Sequence, residues 1–232
     1  MTATRASASL NKSPYYQSSP LPFASRLARS VRHRMFQIFM DAFHPTVETS
    51  VLDVGVTSDS THPESNFFER LYPYQNRITC VGTEDGSHLM LEYPGLRYLP
   101  VVSGQPLPFD DRQFDIVFSN AVLEHVGSRG EQARFVAELR RVSKAFFVTT
   151  PNRWFPIEHH TGLPFLHYLP PSLFRRLIRN TRYRYWADEG NLNILTVREM
   201  AKLFPGAGTH VEIVRALGIG SNLVAYGNSR ID

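Results

Sequence analysis

Carboxylates, glycines and histidines in three short stretches of the chain have the types and spacing that chemistry needs. The first, Val51-Leu52-Asp53-Val54-Gly55, is an apolar run ending in an acidic residue and a glycine. At the carboxyl edge of a doubly wound sheet such a pair faces the crevice where ligands bind. Glycine also lets the backbone take a positive φ and approach a ligand closely. The second run, Ile78 to Thr83, ends in Glu84-Asp85, about thirty residues after the first turn. A carboxylate there offers two acceptor oxygens to the hydroxyls of a ribose, so the spacing points to an adenosine-containing cofactor. The third stretch, Thr150 to Pro171, holds His159, His160 and His167. An unperturbed imidazole titrates near pH ~6.5, which makes His159 and His160 the preferred general bases for a substrate that enters protonated. His167 beside Tyr168 reads instead as a loop anchor, and His125, at a helix start, either touches a ligand or caps locally.

These residues need a scaffold that brings strand ends together. Beyond residue 48, short β-rich runs alternate with helical stretches, as in a parallel sheet covered on both faces. Expected strands are 50–55, 77–83, 96–102, 113–119, 144–149, 210–217 and 220–227. Glu64–Leu71, Glu131–Arg141 and Leu173–Arg179 read as helices, and Thr196 with Glu199 forms a capping box for another. Only Gly218 and Ile219 separate the last two strands, which demands an antiparallel hairpin at the sheet edge. The segment 151–171 follows the fifth strand, has too many prolines for one helix, and is placed to be a substrate-side loop or lid.

With 232 residues, 42% of them hydrophobic, the chain supports one sizeable α/β core. A single domain over 23–232 is expected, preceded by a mobile Ser- and Pro-rich tail at 1–22. No apolar run approaches the ~20 residues of a membrane span, so a soluble protein is expected. The lone Cys80 excludes an internal disulfide and fits a reducing, cytoplasmic setting. No metal is expected, since His159 and His160 are adjacent and cannot share a helix face as a zinc pair at i and i+4 does.

Residues 1–40 carry six of the 25 basic residues and no acidic ones, which leaves 19 basic against 21 acidic elsewhere. A near-neutral body argues against nucleic acid as a partner. Leu27, Val31, Met35, Ile38 and Ala42 recur at helical spacing over 26–43, with Arg29, Arg32 and His33 largely on another face. This basic amphipathic helix either packs on the core or touches an anionic membrane surface. Arg175, Arg176, Arg179, Arg182 and Arg184 form a second basic group, a solvated face or a site for an anionic head group.

Two further blocks carry a family resemblance. Leu107-Pro108-Phe109 precedes the strand Phe114-Asp115-Ile116-Val117, and Ser119-Asn120-Ala121-Val122-Leu123-Glu124-His125-Val126 follows it. With the two strand ends above, they resemble the class I S-adenosylmethionine-dependent methyltransferases of the type 11-like group, related to quinone- and small-molecule-methylating enzymes. That family shows a D-x-G-x-G-x-G turn, an acidic residue after the second strand, an LPF segment and an LEHV segment. The resemblance spans roughly residues 48–155. It implies a Rossmann-like, doubly wound, mostly parallel seven-stranded sheet with an antiparallel edge strand, and S-adenosyl-L-methionine as cofactor. Asp53 and Gly55 would line the methionine end, Glu84 the ribose, and Ser103 with Gly104 the adenine. Asn120 and His125 would lie near the reacting centre.

The chain departs from the pattern after Gly55, where Val56-Thr57-Ser58-Asp59 replaces the later glycines. Either Thr57 and Ser58 serve as hydrogen-bond donors there, or cofactor affinity falls. Ser103 stands where relatives often carry Asp. A dinucleotide site, the other enzyme reading, fits this turn less well, because it needs all three glycines to seat a pyrophosphate on a helix N-terminus. The expected function is methyl transfer to a small-molecule or lipid-like acceptor, with Trp154, Phe155 and Phe165 as an apolar wall. A non-catalytic cofactor sensor or scaffold on the same fold is the alternative.

Overall fold

The computed structural model describes residues 22–59 and 65–230. Of the 1–22 tail only Pro22 is described, and it opens a helix; Glu64 also lies outside the described residues. Seven strands form one sheet: β1 (Val51–Val54), β2 (Ile78–Gly82), β3 (Arg97–Pro100), β4 (Phe114–Asn120), β5 (Ser143–Pro151), β6 (Thr209–Ala216) and β7 (Ile219–Asn228). Their order is β3-β2-β1-β4-β5-β7-β6. Strands β1 to β5 pair in parallel, and β7 runs antiparallel to both β5 and β6. The hairpin closes that edge through Leu217 (φ 51°) and Gly218 (φ 81°). Two positive φ values are what a type I′ turn needs to match the strand twist. The link falls one residue earlier than the spacing predicts.

Near-continuous apolar runs make the central strands, as burial on both faces requires. On one face lie α1 (Pro22–Phe43) and α2 (Phe67–Leu71). Val31, Met35, Ile38 and Phe39 of α1 are buried there, and the Phe39 ring centroid lies 5.0 Å from Phe68, 6.0 Å from Phe118 and 5.5 Å from Phe147. Ala42, expected on this seam, is exposed; Phe39 and Phe43 carry the seam instead, because the larger rings bury more apolar area. The other face is covered by α4 (Arg129–Val142) and α6 (Val197–Leu203), which bury Val136, Leu139 and Met200 against Leu52, Val117 and Val148. Capping boxes start both helices, Ser128 with Glu131 and the expected Thr196 with Glu199, each Ncap stabilising by about 1 kcal/mol.

A short α3 (His88–Glu92) links β2 to β3, and α5 (Pro171–Ile178) lies in the long connection from β5 to α6. That connection is more than a loop. Phe174, Ile178, Trp186 and Leu192 form a small core of their own, with Leu163 and Leu166 packed against it. No described helix is long and apolar enough to cross a membrane.

Candidate active site

Parallel pairing puts the ends of β1, β2, β4 and β5 on one edge of the sheet, and most of the expected site residues collect there. Gly55, just past β1, has φ 107°, and a Cβ on it would stand 2.1 Å from Val122 Cγ2. The turn is therefore built for a residue without a side chain, pressed against the segment that leaves β4. Asp53 is placed differently. It lies within β1, is 5% exposed, and faces Glu69 of α2, whose carboxylate in turn accepts from Cys80 Sγ at 3.2 Å. Burial first, and the neighbouring carboxylate second, push the Asp53 carboxyl well above its ordinary range. Asp53 thus supports the turn from inside rather than facing the crevice.

Glu84 lies two residues past the end of β2. Its Oε2 accepts from Thr57 Oγ1 at 3.0 Å, Ser58 Oγ at 2.8 Å and the Ser58 amide at 3.0 Å. The residues that replace the family's glycines are donors, and their target is the carboxylate expected at the ribose. Glu84 already accepts two hydroxyl protons, which is the chemistry a ribose diol asks of it. Tyr98 Oη donates to the Glu84 carbonyl at 2.5 Å and fixes the backbone. Ser103 and Gly104 sit in an exposed turn after β3, and nothing stands within 4 Å of a Cβ built on Gly104. Asn120, at the end of β4, accepts through Oδ1 from Thr149 Oγ1 at 2.7 Å. A glycine turn, a carboxylate primed for hydroxyls and an open turn beyond β3 fit an adenosine-type cofactor.

Past Asn120 the chain turns through Ala121 at φ 56° into the 3-10 turn Leu123–His125. His125 Nδ1 donates to the Asn191 carbonyl at 2.6 Å, and its Nε2 lies 3.1 Å from His160 Nε2. His160 Nδ1 bonds Glu158 Oε1 at 2.7 Å. Glu158 is itself buried and accepts the amides of His160 (3.0 Å) and Thr161 (2.6 Å). Burial opposes ionisation of Glu158, but His160 and these amides prevail and bring it down to about 2. Burial likewise works against charge on His160, yet Glu158 and Glu124 raise its pKa above the ordinary value. Desolvation and the neighbouring His160 charge push His125 down to about 3, so it is neutral.

His159 does not join this group. Its exposed ring stacks on Phe155 at 5.1 Å. His167 is buried and bonds the Phe155 carbonyl at 2.8 Å, as a loop anchor does. Trp154 and Phe165 stay half exposed around Tyr168, with ring centroids 5.3 and 5.7 Å away.

Sequence reasoning missed Glu124, Glu158, Trp186 and the Asn191 carbonyl. Glu124 and Glu158 had a signal, a carboxylate one or two residues before a candidate histidine. Asn191 had none, because any residue supplies a carbonyl. An open groove of about 580 Å³ between α1 and β6, lined by His33, Arg34, Gln37, Glu212 and Arg215 among others, contains none of the expected site residues.

Residues 72–145 match the family model of the methyltransferase domain. This match takes in about a third of the chain, and the strand order is that of the Rossmann-like fold of class I methyltransferases. Among solved structures, the chain is similar to a SAM-dependent methyltransferase from Aquifex aeolicus, at 12% identity and TM-score 0.53, over 86% of this chain and 97% of that one. It is also similar to an S-adenosylmethionine-dependent methyltransferase from Mesorhizobium loti, at 13% identity and TM-score 0.55, over 85% and 99%. Magnesium protoporphyrin IX methyltransferase from Synechocystis, solved with SAH bound, is 12% identical with TM-score 0.54 over 92% and 91%. No curated protein matches the chain.

Proposed function

We propose that the chain transfers a methyl group from S-adenosylmethionine to a small-molecule or lipid-like acceptor. When bound, the cofactor supplies a methyl carbon on a positively charged sulfur, open to in-line attack. The chain's own part is alignment, which supplies several kcal/mol of such a barrier. Glu84 would hold the ribose hydroxyls, Gly55 and Thr57 the methionine end above Asp53, and Ser103 with Gly104 the adenine, with Asn120 at the end of β4. One observation carries the reading. Gly55 packs against Val122, three residues before His125, so the cofactor turn and the histidine pair share one edge.

His160 is the group suited to take up an acceptor proton, because Glu158 stabilises its charged form. His125 passes hydrogen-bonding on to it, and His159, stacked on Phe155, lines the approach. Half-exposed Trp154 and Phe165 suit an apolar acceptor, and they lie in the same connection as the Arg175–Arg184 basic group. Peripheral contact with an anionic membrane belongs to the same proposal, as does a cytoplasmic setting, which accords with the single buried Cys80. A cofactor sensor or scaffold draws support from one feature, the Thr57 and Ser58 hydroxyls already seated on Glu84.

The test is transfer of label from methyl-labelled S-adenosylmethionine into a small-molecule and lipid extract of the host, by wild type and His160→Ala. Label should enter one fraction with wild type and fall by about 10²–10⁴ in the variant, with cofactor affinity unchanged. No transfer by a folded, cofactor-binding protein would decide for the scaffold.

A further inference from the structure

Glu124, His125 and His160 come from two separate segments, yet they bring three ligand-type atoms together. One ligand atom of each lies within 4.8 Å of the other two. His125 Nε2 and His160 Nε2 are 3.1 Å apart, and Glu124 Oε1 is 3.8 Å from His125 Nε2. Ligands ~2.1 Å from a tetrahedral zinc ion stand ~3.4 Å from each other, between those two separations. Glu124 is fully buried, and its Oε1 accepts no hydrogen bond among the described residues.

The second atom of each side chain is held from behind. Glu124 Oε2 accepts from Thr150 Oγ1 at 2.9 Å, His125 Nδ1 donates to the Asn191 carbonyl, and His160 Nδ1 donates to Glu158. Backing of metal-bound imidazoles by a carbonyl or a carboxylate is the rule in metal sites, since it fixes the tautomer and turns Nε2 to the ion. With both Nδ1 atoms committed as donors, the two Nε2 lone pairs face each other. Something positive must lie between them. A proton satisfies the two nitrogens and leaves Glu124 Oε1 unserved; a dication satisfies all three. The Trp186 ring, 4.7 Å from His160 and 5.9 Å from His125, walls one side.

We propose that Glu124, His125 and His160 bind a divalent transition-metal ion of the zinc type, with a further coordination position open to water or to a heteroatom of the acceptor. Three protein ligands with one position left open is the pattern of catalytic rather than structural zinc. Metal binding stands on these contacts alone; it occupies the His160 Nε2 that otherwise takes up the acceptor proton, so the metal-bound and proton-accepting forms of His160 are alternative states, and only the role toward the acceptor rests on the methyl-transfer reading.

The test uses EDTA-treated, refolding-checked full-length protein titrated calorimetrically with Zn²⁺ alone, and with Co²⁺ followed by visible absorption. One Zn²⁺ should bind per chain, and Co²⁺ should give ligand-field bands that Zn²⁺ abolishes. His160→Ala should weaken Zn²⁺ binding more than 100-fold, and exposed His33→Ala should not. Should His160→Ala fail to fold, Thr150→Val, which removes only the hydroxyl behind Glu124, should still weaken it ~10–100-fold. No stoichiometric Zn²⁺ binding, or binding indifferent to both variants, overturns the site. S-adenosylmethionine binding is measured on the same samples. Zn²⁺ without cofactor binding overturns the methyl-transfer reading alone, and cofactor without Zn²⁺ overturns the metal site alone.

Discussion

At the scale of single residues, the carboxylates shift in opposite directions according to what surrounds them. Glu158 is held ionised by two amides and an imidazole, whereas burial, with Glu69 beside it, pushes the Asp53 carboxyl well above its ordinary range. A carboxyl raised in the folded state binds more protons there than in the unfolded chain once pH exceeds about 4, so folding stability falls as pH rises from that point. Asp53→Asn, which mimics the protonated form, should therefore raise the melting temperature more at pH 8 than at pH 5. An equal gain at both values would mean that Asp53 is ionised in the fold. Glu84, by its place after a strand end, was legible from the sequence, and so was the suspicion that Thr57 and Ser58 are donors. What the sequence could not reveal is that their target is Glu84 itself, since the turn and the end of β2 meet only through the parallel register of β1 with β2.

Among the elements, all seven strands fall within about two residues of where apolar runs and turn residues put them; the central β1, β2, β4 and β5, buried on both faces, leave a near-continuous apolar signature, whereas the largely exposed β3 and β6 do not. The connection from β5 to α6 was the least legible. Its prolines mark a loop, but the small core of Phe174, Ile178, Trp186 and Leu192 gathers residues with no common period. Two turns are sensitive to single changes. Gly55→Ala meets both a positive φ and Val122, and should destabilise by roughly 2–4 kcal/mol in denaturant unfolding. A loss under about 0.5 kcal/mol would show that the turn relaxes freely. Leu217 takes φ 51° while 73% exposed, in a turn that favours Asn before Gly. Leu217→Asn should stabilise by roughly 0.5–1 kcal/mol, read as a raised denaturant midpoint at constant slope; a lowered midpoint would count against the I′ assignment.

In the whole molecule, one topological fact gives the site its location. Strands β1, β2, β4 and β5 all end on the same edge, so residues far apart in the chain, Gly55, Glu84, His125 and His160, are brought to one edge of the sheet. The similarity to solved methyltransferases at 12–13% identity extends over more than four-fifths of the chain, which means the layout rather than the side chains is held in common. The strand ends that carry Gly55 and Glu84 were readable from motifs. The Glu124–His125–His160 group was not, because its members are supplied by two loops that only the fold brings face to face.

The most direct measurement is isothermal titration of the purified protein with S-adenosylmethionine and S-adenosylhomocysteine, beside Glu84→Ala and a nicotinamide dinucleotide control. Both sulfur ligands should bind and the dinucleotide should not, and Glu84→Ala should weaken binding by about 1–3 kcal/mol, the cost of removing a charged hydrogen-bond acceptor. Failure of a folded sample to bind either sulfur ligand, or affinity unchanged in Glu84→Ala, would contradict the cofactor site described at this edge.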